Sequence, residues 1–368
     1  MKSFKIFLGV ISIFFFFQGC SPKNNEVKIG ANLPLTGTVA YYGINAQNGI
    51  RLALDSLKLD PTYKNYNFDV IYEDNQGQAK FAITAMTKLI NIDKVPVIIG
   101  GGSSIETLAA APLANENKVV LISPISSASS ISKAGSYIFR TCPTDNLQAE
   151  DLGAWILELG IKNISVVFVN STWGTSFDSD FENYIKNNGG KIVISESSDP
   201  GESNFRPQLS LIKSKNTQAL LCIVYAKEGG TLVRQARELG IKQNIFGADP
   251  WSQKDFQTGA GQYANGVRYT TPVQYNGEAF KIFRDKFFDK YGKEPDVYAS
   301  NGFDCMMLVA QAIQKGNRTG EEIQKYFNNV TNFMGATGIT HFDENGDVIG
   351  KHFGRFIINN DSPELTIK

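Results

Sequence analysis

The chain has 368 residues, 42% of them apolar and 20% charged, with 36 Lys and Arg set against 36 Asp and Glu. That length exceeds what one hydrophobic core usually serves and points to two domains of ordinary size. The balanced charge, together with the lack of any basic run interleaved with aromatics, argues against a nucleic-acid partner.

Residues 1–20 stand apart from the rest. Lys2 and Lys5 precede the apolar stretch Ile6–Phe17, which is too short to span a bilayer comfortably and ends at Gln18-Gly19-Cys20. This is the pattern of a secretory signal peptide rather than of a structural helix. A cysteine directly after a small residue resembles the bacterial lipobox, in which Cys20 becomes the lipidated first residue of the mature chain. Phe17 and Gln18 depart from the Leu and the small residue usual at those positions, and simple cleavage with release stays open. Residues 21–26 would form a polar tether, and no later segment is apolar enough to cross a membrane.

Val27–Leu33 reads as a first strand, followed by a helix over Ile44–Leu57, a strand over Asn67–Tyr72 that ends at Glu73-Asp74-Asn75, and a helix over Gln78–Ile90. Next, the β-branched run Val97–Ile99 stops at Gly100-Gly101-Gly102, as a buried parallel strand does. Ser103 with Glu106 three residues on has the spacing of a capping box, so a helix starts there and runs to about Asn115. A second apolar run, Val119–Ile122, ends at Ser123-Pro124-Ile125-Ser126-Ser127. These elements make a βαβ unit whose two strand ends share one sheet edge, where open α/β sheets bind ligands. The free N–H groups and dipole of the helix start favour an anion, and Ser104, Ser126 and Ser127 add hydroxyl donors. From these residues alone, a cradle for a small carboxylate and an unoccupied Gly-rich turn both remain possible.

From about Phe139–Asp145 the pattern restarts. Helices over Leu147–Leu159, Ser176–Asn187, Pro207–Ser214 and Glu228–Leu239 alternate with strands over Ile164–Val169, Lys191–Ser195, Ala219–Tyr225 and Asn244–Gly247. Alternation of this kind defines a doubly wound α/β unit. One more strand, Gly266–Pro272, precedes helices over Gly277–Tyr291, Val297–Lys315 and Thr319–Val330. Short strands over Ile339–Phe342 and Phe353–Ile358 close the chain, with a turn built on Asn345-Gly346 between them. The turn, Asp343–Asp347, lacks the glutamate and the flanking helices of a calcium loop.

Cys142, Cys222 and Cys305 are an odd, widely spaced set and read as structural thiols; there is no Cys/His metal pattern and no cofactor motif. The third glycine of a dinucleotide fingerprint is replaced by Ile105, and no phosphate-loop, nucleophile-elbow or HExxH motif is present. His341 and His352 lie far from any strand-end serine. An extracytoplasmic enzyme would need a nucleophile–base pair or a metal cluster, and neither is visible.

The motifs VKIGANLPLTGTVAYYG, IYEDNQG, IIGGGSS, VVLISPISSAS, FRTCPTD, LVRQARELGIK, FGADPW, YGKEPDVYASNGFD and ITHFDENGD occur in this order over residues 27–350. As an ordered set they resemble the type I periplasmic solute-binding proteins, in the leucine/isoleucine/valine-binding branch. The resemblance implies an α/β fold of two doubly wound, Rossmann-like lobes, 27–142 plus 273–348 and 143–272 plus 349–368, joined by three hinge crossovers. It implies an amino acid clamped between the lobes, an ABC importer permease as partner, contact with a membrane through a lipid anchor only, a monomer, no cofactor and no catalysis. Ser103, Ser104, Ser126 and Ser127 match the carboxylate-holding wall, Tyr42 an aromatic at the cleft mouth, Asp249 the acid that takes the ammonium, and Tyr225 a tyrosine beside it. Trp173 stands where a ligand-capping tyrosine is usual; if it lines the cleft, it makes with Tyr42 and Trp251 an aromatic-walled site. A receptor for an amide, a urea or an aromatic acid is the alternative, and Asp249 discriminates, since a buried carboxylate needs a cationic partner.

Overall fold

The computed structural model describes residues 25–360 and 362–367, so the signal-peptide and Cys20 readings lie outside the described residues. The chain begins with β1 (Asn25–Leu33), α1 (Ala40–Leu59), β2 (Tyr66–Asp74), α2 (Ala79–Asn91), β3 (Val97–Gly100), α3 (Ser104–Glu116), β4 (Val120–Ser123) and β5 (Ile138–Arg140). These strands form one parallel sheet in the order β2-β1-β3-β4-β5. β1 starts two residues before the strand expected from Val27, and α1 begins at Ala40 rather than Ile44, which puts Tyr41 and Tyr42 in its first turn.

A second run of elements follows: α4 (Asp145–Glu158), β6 (Asn163–Val169), α5 (Thr172–Asn187), β7 (Lys191–Ser198), α6 (Arg206–Lys213), β8 (Ala219–Ile223), α7 (Ala226–Glu238), β9 (Asn244–Gly247), α8 (Lys254–Ala260) and β10 (Arg268–Pro272). The chain then returns to the first sheet with α9 (Glu278–Tyr291), α10 (Val297–Gln314), α11 (Gly320–Asn328) and the hairpin β11 (Phe333–Gly335) and β12 (Gly338–Thr340). It ends in β13 (Phe353–Asn359) and β14 (Ser362–Ile367) on the second sheet, whose order is β14-β13-β10-β9-β8-β6-β7. β13 and β14 are antiparallel to their neighbours; β14 and the β11–β12 pairing are additions to the sequence reading. Among the described residues, no helix is long and apolar enough to cross a membrane.

Each sheet has its own core. The β-branched strands of the first are packed by α1 and α10 on one face and by α2 and α3 on the other. Those of the second bury Phe177, Phe181, Phe246 and Trp251 among their helices. α1 and α10 approach most closely at two glycines. A Cβ on Gly49 would lie 1.9 Å from the Ala299 carbonyl oxygen, and one on Gly302 would lie 2.3 Å from that of Ala46. The two helices therefore run side by side into the space between the lobes, carrying Tyr42 and Tyr298 on their first turns.

The chain crosses between the sheets three times, after β5, after β10 and before β13. Arg140, at the end of β5, is fully buried and binds the third crossing, with its Nε 2.6 Å from Asp347 Oδ1. Its other nitrogens donate to the Ala128 carbonyl and to Ser132, whose hydroxyl in turn donates to Asp347. The turn before Asp347 is closed by Asp343, whose carboxylate accepts the Asn345 and Asp347 N–H groups. Removing one partner of such a pair strands the other charge without water. Asp347→Ala is expected to cost about 3–5 kcal/mol of unfolding free energy, read from urea denaturation; a loss below about 1 kcal/mol would show that Arg140 is satisfied without the pair.

A cleft cavity between the lobes

The carboxyl-terminal edges of the two sheets face each other, and a cavity of about 370 Å³, counted to its open mouth, lies between them. β3 ends at Gly100, and Gly101 turns the chain at φ +84°, where a Cβ would collide with Thr107 Oγ1 at 1.7 Å. That turn sets the start of α3 against the cavity. Ser103 is the N-cap residue, but the capping box expected from its spacing to Glu106 does not form. The Ser103 hydroxyl instead donates to Glu106 Oε1 at 2.7 Å, while Gly102 N–H donates to Oε2 at 2.8 Å. Among the described residues nothing accepts from the backbone N–H groups of Ser104, Ile105 and Glu106. They remain as an unused anion-binding helix end. Ser104 Oγ accepts from Ala128 N–H at 3.2 Å, which leaves its own proton to donate.

The end of β4 is organised by Ser123, whose hydroxyl donates to the Gly101 carbonyl and accepts from Ser126 N–H at 2.9 Å. Ser126 reaches the same strand end but does not line the cavity. It is buried, with its hydroxyl bonded to Thr107 Oγ1 at 2.8 Å and to the Gly101 carbonyl at 3.2 Å. Ser127, one residue on, does line the cavity.

The opposite wall comes from the second lobe. Ser171 caps α5 by accepting from Gly174 N–H, and Trp173 follows in the first turn. Trp173 lines the cavity, stacked on Tyr225 at 5.3 Å between ring centroids and 20° between planes. Its N–H is not free, because Nε1 donates to Asp145 Oδ1 at 3.2 Å. Tyr225 sits at the start of α7, and Asp249 follows β9. Trp251 lies outside the lining set: it is fully buried, stacked on Phe256 at 4.3 Å, with its N–H given to the Val224 carbonyl. The short turn Asp249–Ser252 directs Asp249 outward and Trp251 into the core.

The structure thus gathers Tyr42, Ser103, Ser104, Ser127, Trp173, Tyr225 and Asp249 around one cavity, and adds Gly102, Ile125, Pro250 and Tyr298. The Tyr298 hydroxyl donates to Asp249 Oδ2 at 3.0 Å, and its ring meets that of Tyr42 edge-on at 4.9 Å. Tyr298 lies in the VYASNGFD motif but was not singled out, since helical spacing alone does not show which turn of α10 reaches the cleft. Asp145 was missed for a related reason. The helix was expected from Leu147, whereas α4 begins at Asp145 itself.

The charge of the site has one sign. No Lys, Arg or His is among the lining residues. Burial pushes the Asp249 carboxyl up to about 6, despite the hydrogen bond from Tyr298. Burial and then the charge of Asp249 push Asp145 up to about 8, and burial pushes Glu106 up to about 7. These folded values exceed the ordinary 3.8 of Asp and 4.5 of Glu, so these three carboxyls hold more protons in the native state than in the unfolded chain between about pH 4 and pH 8. Stability is therefore expected to fall as pH rises through that window. A melting temperature at pH 8 equal to or above that at pH 5.5 would contradict the assignment of these three carboxyls.

A family model described as periplasmic binding protein matches residues 26–353. The leucine-, isoleucine-, valine-, threonine- and alanine-binding protein of Pseudomonas aeruginosa is 24% identical over 355 residues, covering 96% of this chain and 95% of the relative. The substrate-binding protein of a branched-chain amino acid transporter from Streptococcus pneumoniae, solved with isoleucine, superposes with a TM-score of 0.84 at 28% identity, over 92% of this chain and 98% of that one. A leucine-binding protein from Thermotoga maritima gives the same TM-score and identity over 93% and 98% of the two chains. With two doubly wound lobes facing each other across a cavity walled largely by aromatic rings, the chain belongs to the periplasmic binding protein family.

Proposed function

We propose that this chain is an extracytoplasmic solute-binding lipoprotein that captures an apolar or aromatic amino acid between its lobes and delivers it to an ABC importer. The observation that carries the reading is the opposition of two unlike ends across one cavity. On the first lobe stand the unused N–H groups of α3 with the Ser104 hydroxyl; on the second stands Asp249. A zwitterion buried there has its carboxylate met by donors and the helix dipole, and its ammonium met by a carboxylate. Either charge left unpaired in a closed cleft would cost several kcal/mol, roughly, so the two ends act together in selection.

Tyr42, Ile125, Trp173 and Tyr298 supply the apolar surface for the side chain. Trp173 presents its face and edge rather than its N–H group, which favours an aliphatic or aromatic side chain over one that needs a hydrogen bond. The binding of branched-chain amino acids by relatives supports the same class. An aromatic acid without an amine fits less well, because it would leave Asp249 unpaired.

Contacts made by both lobes to one ligand supply the free energy of closure. Contacts that already span the lobes include the bond from Tyr298 to Asp249, that between the Ser129 and Ser176 hydroxyls at 3.1 Å, and the approach of the Tyr42 and Tyr225 rings. Cys20 would tie the chain to a bacterial membrane through its lipid anchor.

A thermal-shift screen of the mature domain against the twenty amino acids, urea, simple amides and benzoate tests the reading. Amino acids are expected to raise the melting temperature by mass action, which is worth about 2.7 kcal/mol at a hundredfold excess over Kd. Asp249→Ala is expected to weaken the best amino acid by about 2 kcal/mol or more. A shift by benzoate or urea alone, or an unchanged affinity in the variant, would remove the ammonium clamp from the site.

A further inference from the structure

We propose that a cavity among the three crossings is a second binding site, for a small monocarboxylate with an apolar body, and that its occupant favours closure of the lobes. The site itself stands apart from the amino-acid reading above; its coupling to the cleft rests on that reading.

The cavity measures about 370 Å³, counted to its open mouth. Every crossing contributes to its wall: Thr141 and Pro143 from the first, Pro272 through Tyr275 from the second, and Lys351 from the third. Val273 N–H donates to the His352 carbonyl at 2.8 Å, which ties the second crossing to the third at this point. The rest of the wall is Val297, Ser300 and Asn301 near the start of α10, with Ala336 and Thr337 at the tip of the β11–β12 hairpin. Val273 and Gln274 are exposed, so the space opens to solvent beside the hinge.

Lys351 is the one charged residue among those that line it. Its Nζ donates to the Thr337 carbonyl at 2.6 Å and to Thr337 Oγ1 at 3.0 Å, which leaves the third N–H of the ammonium without an acceptor among the described residues. No carboxylate among the described residues forms an ion pair with it. Asp304, the acid whose charge reaches it, has its oxygens taken by the Ala336 and Thr337 N–H groups and the Thr337 hydroxyl. Burial accordingly pulls the Lys351 ammonium below the ordinary lysine value, and Asp304 only partly offsets it. A half-buried cation with a spare donor, set among Pro143, Pro272, Val297 and Ala336, matches a carboxylate that carries a short hydrocarbon body. The carboxylate neutralises the ammonium and the body covers the apolar wall; an amide of the same shape supplies no charge.

A third cavity, of about 310 Å³, joins this space to the cleft. It shares Pro143, Pro272, Val297 and Asn301 with the hinge cavity, and Ile125, Ser127, Asp249 and Tyr298 with the cleft cavity. Asn301 is buried, and its amide donates to the Pro124 carbonyl at 3.0 Å, in the loop after β4 that carries Ile125 and Ser127. An occupant that touches all three crossings binds this arrangement, in which Tyr298 reaches Asp249 across the lobes, better than one in which the crossings have moved apart. Ligands at the hinge and in the cleft then favour the same arrangement, and by linkage each tightens the other.

The test is calorimetry of the full mature domain with sodium butyrate, and with butyramide and sodium chloride as controls, each in the absence and presence of saturating L-leucine. Wild type is expected to bind a single butyrate and to bind it about fivefold or more tightly when leucine is present, with the reciprocal gain for leucine. Lys351→Gln is expected to keep a cooperative melting transition and wild-type affinity for leucine alone, and to lose about tenfold in butyrate affinity, whereas Lys351→Arg keeps most of it. No saturable butyrate binding, equal binding of butyramide or chloride, or unchanged butyrate affinity in Lys351→Gln would overturn the site. Competition between butyrate and leucine would put butyrate in the cleft and overturn the site equally, and independent binding of the two would overturn the coupling. If no amino acid binds, the amino-acid reading falls and the coupling with it, while the butyrate titrations of wild type and Lys351→Gln still decide the site.

Discussion

A charge taken out of water must meet its opposite or give up its ionisation, and every ionisable group lining this cleft is an acid. Asp249 is in the wall, Asp145 is behind it and Glu106 is at its edge, and no Lys, Arg or His is among the residues that line the cavity. The unlike partner on the protein's own side is not a side chain but the start of a helix. The dipole and the unused N–H groups of α3 give the first lobe its positive end. The Glu106 N–H stays unused because the Ser103 hydroxyl is turned to the Glu106 carboxyl instead of closing a capping box, and among the described residues no acceptor reaches those of Ser104 and Ile105.

The rest of the architecture serves to hold these two ends apart at a fixed span. Parallel sheets bring their strand ends to one edge, so β3, β4, β8 and β9 all deliver loops to the cleft. The glycine contact between α1 and α10 brings Tyr42 and Tyr298 together above them. Three crossings join the lobes, and each lobe keeps its own core. The buried pair of Arg140 and Asp347 ties the first crossing to the third.

Much of this was legible in the residues. Apolar runs that stop at Gly or Ser located the strand ends, and strand ends located Ser103, Ser104 and Ser127 at the cavity, because in a parallel sheet that position is a consequence of topology; Trp173, Tyr225 and Asp249 were legible only through the family resemblance. Side-chain direction was not legible. Ser126 and Ser127 are adjacent and chemically alike, yet one hydroxyl is consumed by Thr107 and Gly101 while its neighbour lines the cavity. Trp251 and Asp249 are two residues apart in a tight turn, which sends the indole to Phe256 and the carboxylate to the cleft. Tyr298 and Asp145 required helix boundaries to within a residue or two, a precision that periodicity does not provide.

The central claim is that an amino acid lies across the cleft with its carboxylate on α3 and its ammonium on Asp249. A crystal structure of the mature domain with L-leucine bound tests it most directly. The account requires the carboxylate oxygens within about 3 Å of the Ser104 and Ile105 N–H groups and the nitrogen against Asp249, with the side chain on Trp173, Tyr42 and Tyr298. A ligand bound in the reverse sense, or seated away from this cavity, would contradict it.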